Sequence, residues 1–586
     1  MDTPSSFPHD YPGKPSGDFS PAWQTYFEVT EPLPGVNFAL PRSFAGNVGV
    51  DRAGHLNNTL FFWAFERENG SLTASAGDRA NEPWGIWLNG GPGSSSMLGL
   101  AYENGPIHLD QNQKPSKNNF SWDQLADYVW VDQPVGVGWS TTDSDGYVAD
   151  EDQMGTDFMG FLSNLVKVFP SLATRPLHLT GESYAGTYIP YIMKAYFQTP
   201  NPPVKIAKFV IGDGTVGSGI VFNEVPTLQI IQTYPQLINY DPGAYEFFAE
   251  QFHLCGLDLN LTYPQTGGHF PTLINQTPDA PAARRSKYHP GEGRLGERES
   301  EGEARGPVAE GPQGVIDPWY GCDVWDEMVD YALNFSMPWD AEQGFDVYRI
   351  EDGLNPEFPL DGSAFFNDPQ ARAAVHAPTS KNWRSSIFYP FLGDPERGED
   401  PSPEPMVFLT DLATNASAQG IQVVLYSGND DSLVAHRGTE VVIQERNWTY
   451  VLFLHAGHLV PQGAPAAARV FLREFVLGAN TTGLVTSADG AAVGGEDAAL
   501  GAYAVRGQAG IEVGSVTPTG TVTFASATVA AWDAFIGTAT VGTGTAAGPA
   551  TTHKATGGAV GGGGGGAVGA AVLAWAAAVL SGFAFM

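Results

Sequence analysis

An α/β fold built on a mixed central sheet is predicted by three observations. First, short apolar runs stop abruptly at glycines or reactive side chains: Ile86-Trp87-Leu88, Leu177-His178-Leu179-Thr180, Gln422-Val423-Val424-Leu425-Tyr426 and Tyr450-Val451-Leu452-Phe453-Leu454. Each reads as a buried strand. Second, one of these runs enters Gly181-Glu182-Ser183-Tyr184-Ala185-Gly186. That is close to the strand–sharp turn–helix pattern that holds a serine hydroxyl at the end of an α/β-hydrolase sheet. Third, an acid and a histidine follow at the ends of two later strands. The resulting order, Ser…Asp…His, is the one α/β hydrolases use.

The first strand of this set runs into Asn89-Gly90-Gly91-Pro92-Gly93-Ser94-Ser95-Ser96. Glycines there let backbone N–H groups approach a ligand closely. A phosphate loop is the competing reading, but no Lys-Ser/Thr follows the glycines and the Walker spacing is absent. In an α/β hydrolase this loop supplies one oxyanion donor and the residue after the nucleophile supplies the other. The donors are then the N–H groups of Gly91 and Tyr184. The span from Asp150 to Phe169 reads as an amphipathic helix before the serine strand. Downstream, Ser427-Gly428-Asn429-Asp430-Asp431 and His455-Ala456-Gly457-His458 close their strands. Taken singly, an aspartate there is a turn or cap residue and His458 a loop histidine. Gly463 to Leu477 reads as the last helix of the domain.

A net charge of −35 argues against a nucleic-acid partner, whose phosphates would be repelled. Nine Asn-x-Ser/Thr sequons, at Asn57, Asn69, Asn119, Asn260, Asn275, Asn334, Asn415, Asn447 and Asn480, point to the secretory pathway. In that compartment the two cysteines, Cys255 and Cys322, are expected to pair. The start, Met1-Asp2-Thr3-Pro4-Ser5, has neither a basic segment nor an apolar one, so a leader preceding it is expected to be missing from the sequence. Residues 278–314 are charged and almost free of apolar side chains, and read as a low-complexity insert: an exposed loop or an untrimmed intron. Residues 478–566 read as a disordered Gly/Ala/Thr-rich stalk. The apolar run at 567–586 resembles a GPI-anchor signal, with a single membrane segment as the alternative.

Four motifs together resemble the serine carboxypeptidases, of the fungal secreted type. They are Trp87–Ser95, Gly181–Gly186, Tyr426–Asp431 and His455-Ala456-Gly457-His458-Leu459-Val460-Pro461. Ser43-Phe44-Ala45-Gly46 and Asp132–Ser140 add support, and the likeness spans about residues 38–477. The resemblance implies an α/β-hydrolase fold with a helical cap at about 215–366, after an N-terminal segment of residues 1–37. It implies Ser183 as nucleophile, His458 as general base and Asp431, rather than Asp430, as the residue orienting the imidazole. It also implies that Asn89, Glu103 and Glu182 bind the carboxylate of a peptide or protein C-terminus. The expected activity is removal of single C-terminal residues at acid pH through an acyl-enzyme. An acyltransferase of the same fold and an inactive cell-surface binding protein are the alternatives. No cofactor or metal is expected. The expected location is extracellular or at the cell surface, with the vacuole as an alternative. Ser94 departs from the family, which usually has cysteine there.

Overall fold

The computed structural model describes residues 11–259, 314, 316–317, 320–336, 346–350, 361–379, 381–443, 448–453, 456–480, 485–486 and 492–494. The low-complexity insert except Gly314, nearly all of the stalk, the C-terminal run and the sequons at Asn260, Asn275 and Asn447 lie outside them.

Eight strands form one sheet: β1 (Ser43–Gly49), β2 (Thr59–Phe65), β3 (Trp84–Leu88), β4 (Asp127–Asp132), β5 (Pro176–Glu182), β6 (Lys205–Gly212), β7 (Gln422–Gly428) and β8 (Thr449–Phe453). Their spatial order is β1-β2-β4-β3-β5-β6-β7-β8. The first two pairings, β1 with β2 and β2 with β4, are antiparallel, and all the others are parallel. This is the mixed sheet of the α/β-hydrolase fold. β2, β3 and β4 are buried along their whole length. Their sequences accordingly read as largely apolar runs, as expected of strands covered on both faces. Trp63, Trp84, Trp87, Trp122, Trp130 and Trp139 are among the largest fully buried side chains.

The helix expected before the serine strand is α1 (Glu151–Val168). Asp150 caps it by accepting from the Gln153 N–H at 2.8 Å, while the Gln153 side chain accepts from Ala149 N–H at 2.7 Å. Glu151 and Asp152 in its first turn suit the positive end of the helix dipole. The nucleophile strand leads into α2 (Ala185–Gln198). The last helix runs from Pro465 to Phe471 and continues as a π-helical turn over Leu472–Val476, within two residues of the span expected from sequence. Pro465 opens it: the residue before a proline is pushed out of the helical region, and Ala464, at φ −133°, ψ 58°, separates it from the short turn Val460–Gly463.

Between β6 and β7 the chain supplies α3 (Thr227–Thr233), α4 (Pro242–Leu254) and α5 (Val324–Phe335). Cys255 and Cys322 form a disulfide that joins the end of α4 to the approach to α5, with Cα atoms 5.6 Å apart. The bridged residues are 67 apart in sequence, so in the chain-entropy model the bond contributes about 4 kcal/mol. Cys255→Ser with Cys322→Ser is expected to lower the urea midpoint while leaving the sheet's circular dichroism intact below it. An unchanged midpoint would contradict this.

Candidate active site

The parallel strands place their reactive residues at their carboxyl ends, the usual ligand position in such sheets. Ser183 follows β5 with φ +60°, a left-handed conformation that costs a non-glycine residue about 1–3 kcal/mol. Surrounding bonds hold it there. Ser183 N–H donates to the Gly212 carbonyl at 3.0 Å, and the Ser183 carbonyl accepts from Gly186 N–H at 2.8 Å and Thr215 N–H at 3.1 Å. Gly186 has no space for a side chain, because a Cβ there would lie 2.4 Å from Thr215 N.

The loop after β3 presses on this turn. A Cβ on Gly90 would stand 2.2 Å from Tyr184 N and 2.9 Å from Ser183 Cβ. Gly91 lies in the left-handed half of backbone space, at φ +116°. Asp132 secures the loop from below, accepting from Ser96 N–H at 2.9 Å and from the Ser95 hydroxyl at 2.5 Å. Burial pushes the Asp132 carboxyl up to about 6. Ser94, where the family usually has cysteine, meets Ser386 through a hydroxyl–hydroxyl contact of 3.2 Å.

His458 Nδ1 is 2.7 Å from Asp431 Oδ2, and both residues are buried. The other Asp431 oxygen accepts from the N–H groups of Leu433 at 2.8 Å and Val434 at 3.1 Å. Asp430 instead takes the Tyr234 hydroxyl. The acid facing the imidazole is therefore Asp431. His458 Nε2 is buried and has no hydrogen-bond partner among the described residues, so no Ser183–His458 bond is made in this structure.

Beside Ser183 lies a buried polar cluster. Asn89 Nδ2 donates to Glu182 Oε1 at 2.9 Å and to Glu103 Oε1 at 3.1 Å. Asn89 Oδ1 is fixed by Trp87 Nε1–H at 2.9 Å and Gly99 N–H at 3.0 Å. Each glutamate acts on the carboxyl of the other, and the second oxygen of each has no hydrogen-bond partner among the described residues. Two carboxyls can bond only if one keeps a proton. Burial raises the Glu103 carboxyl. Glu182 is raised further still, first by burial, then by the charge of and bond to Glu103, and then by Asp213 and Asp431. The charges of His458 on Glu103 and of Asp431 on Glu182 tie this cluster to the Asp431–His458 pair.

Sequence reasoning missed Asp213. It directly follows β6, is fully buried, and accepts at 2.9 Å from the N–H of Gly428, the last residue of β7. Its signal was present: an aspartate between two glycines, just after the apolar run Phe209-Val210-Ile211. Among the expected glycosylation sites, Asn69, Asn119 and Asn415 are exposed, and Asn57 and Asn480 are half-buried. Among the described residues, no group of three or more His, Cys, Asp or Glu is placed to hold a metal ion. No described helix is long and apolar enough to cross a membrane.

The family model for serine carboxypeptidases matches residues 34–240, a span that contains the loop after β3, Glu103 and the Ser183 turn. A carboxypeptidase Y homolog of Arthroderma benhamiae is 29% identical over 489 residues, covering 76% of this chain and 85% of its own. The chain is thus similar to the serine carboxypeptidases, and the likeness indicates a serine-type carboxypeptidase, a hydrolase. Another relative is the pheromone-processing carboxypeptidase KEX1 of Phaeosphaeria nodorum, 26% identical, with 75% of this chain and 65% of that protein covered. Among solved structures, the prohormone-processing carboxypeptidase KEX1 of Saccharomyces cerevisiae superposes with a TM-score of 0.54 at 19% identity, over 77% of this chain and 95% of that one. That likeness is one of fold.

Proposed function

We propose that the protein removes single residues from peptide C-termini through an acyl-enzyme on Ser183. The observation that carries this reading is the buried Asn89–Glu103–Glu182 cluster, in which burial and the neighbouring glutamate raise a carboxyl next to the nucleophile and so favour its protonated form. Such a group can donate to a substrate's terminal carboxylate, which an ionised pair would repel. With the terminus held there, the last peptide bond is placed over Ser183.

His458 Nε2 takes the Ser183 proton as Oγ attacks the scissile carbonyl carbon. The negative charge that develops on the carbonyl oxygen is received by the Gly91 and Tyr184 N–H groups. His458 then gives the proton to the leaving amine, the C–N bond breaks, and water repeats the sequence on the ester. Asp431 holds Nδ1 protonated so that Nε2 faces the serine. Asp431→Asn is expected to lower kcat by about 10⁴, because the amide admits the wrong tautomer. Stopped assays of amino-acid release measure this, and activity near the parent level would move the role to another acid.

The reading is tested by incubating the protein with an N-blocked dipeptide at acid pH and following the freed amino acid. Transfer of the acyl group to a small alcohol in preference to water would favour the acyltransferase alternative. Exposed sequons support passage through the secretory pathway, and anchoring through residues 567–586 belongs to the same proposal. Release of the protein from cells by a phospholipase that cuts GPI anchors checks the latter.

A further inference from the structure

The loop after β3 connects two different surroundings. At its start, Asn89 joins the two glutamates. At its far end, Gly93 N–H donates to the Tyr188 hydroxyl at 3.2 Å, and the Gly93 carbonyl accepts from Ile387 N–H at 3.1 Å. Ser95 N–H donates to the Ser385 carbonyl at 2.8 Å. Residues 385–402 therefore form a strap at the end of the loop away from the glutamates. The strap then pairs with the approach to α1, through Leu392 N–H to the Val148 carbonyl and Gly393 N–H to the Ala149 carbonyl, both 3.0 Å.

Asp400 on this strap accepts the hydroxyl of Tyr184, the residue directly after the nucleophile. Its other oxygen accepts from Ser402 N–H at 2.9 Å, and the Ser402 hydroxyl accepts from Glu151 N–H at 2.8 Å. The Glu151 side chain is 0% exposed, and neither of its carboxyl oxygens has a hydrogen-bond partner among the described residues. The charge acting most strongly on Glu151 is that of Asp400, and Glu151 is in turn the first charge felt by Tyr184 and Tyr188. Among the described residues, neither Asp400 nor Glu151 has an ion-pair partner. Two carboxyls and two tyrosines thus converge beside the nucleophile, with both Glu151 oxygens unused as acceptors and no described cation between the carboxyls.

A substrate whose terminus sits on the glutamates must send its preceding residue the other way, past Tyr184. We propose that Asp400, backed by Glu151, receives a cationic side chain there, so that the enzyme prefers peptides whose penultimate residue is lysine or arginine. The proposal rests on the exopeptidase reading for its chemistry, but not for its binding step. An ammonium or guanidinium supplies the positive charge that the pair lacks and donors for the Glu151 oxygens and the remaining lone pairs of Asp400.

The test compares two benzyloxycarbonyl dipeptides, Lys-Leu and its neutral counterpart norleucyl-Leu. The parent enzyme is expected to favour Lys-Leu in kcat/KM, and Asp400→Asn to lower that ratio about tenfold. The asparagine still accepts the Tyr184 hydroxyl, so the strap keeps its anchor. A parent ratio near one, or a ratio that Asp400→Asn leaves in place while slowing both substrates, overturns the proposal and makes Asp400 a strap anchor. Calorimetry of the same two dipeptides with the Ser183→Ala protein reads the subsite without turnover. Tighter binding of the lysine compound supports the subsite even if no dipeptide is cleaved, an outcome that would sink the exopeptidase reading alone. Equal binding of the two compounds overturns the subsite.

Discussion

Ser183→Ala is expected to lower kcat on a blocked dipeptide by roughly 10⁶, with KM within a few fold of the parent. In a triad that acts as a unit, removing the nucleophile costs about as much as removing all three members. What survives, of order 10³–10⁴ over water, comes from oxyanion stabilisation and binding. The substitution removes one oxygen from a half-buried position and leaves the bonds that fix the Ser183 backbone. Folding should therefore be unaffected, and the loss should appear in kcat. A loss below about a hundredfold would show that Ser183 is not the nucleophile.

The second large effect concerns the glutamate pair. Both carboxyls are held above the ordinary carboxylate range, chiefly by burial and, for Glu182, also by the charge of Glu103. A raised carboxyl keeps its proton at acid pH and loses it as pH rises. Binding of a terminal carboxylate should therefore be full in acid and fall about tenfold for each pH unit above the point where the shared proton is lost. Because the two groups titrate together, that point belongs to the pair. In Glu103→Gln/Glu182→Gln no proton can be lost, so this alkaline fall in 1/KM is expected to disappear. A substrate whose terminus is amidated should not show the fall in either protein. An alkaline limb that survives the double substitution would place the titrating group elsewhere.

Much of this site was legible because it is built from local patterns. The runs before Asn89, Ser183, Asp431 and His458 became β3, β5, β7 and β8, within a residue or two at each end. Strands buried on both faces advertise themselves as continuous apolar segments, and polar residues at their ends are conspicuous. The choice between Asp430 and Asp431 was different in kind. Both are buried neighbours in one turn, and only the direction each side chain takes separates the acid that meets His458 from the one that meets Tyr234. Resemblance gave that choice before geometry did. The Tyr184–Asp400 contact joins residues 216 apart and had no local signature at all. The same is true of Ser94 and Ser386, which are 292 apart. The final helix was legible too, and Pro465 marks its true start two residues inside the expected span.

The disulfide between Cys255 and Cys322 has a consequence for the integrity of the chain. It makes everything between these two residues a covalent bypass. The serine strand lies upstream of the bridge, while the aspartate and histidine strands lie downstream. A single peptide bond cut within the bypass would divide the nucleophile from its partners in sequence, yet leave them on one molecule. Such a nicked protein would migrate as one species until a thiol was added, and then as two, with Ser183 on the first and His458 on the second.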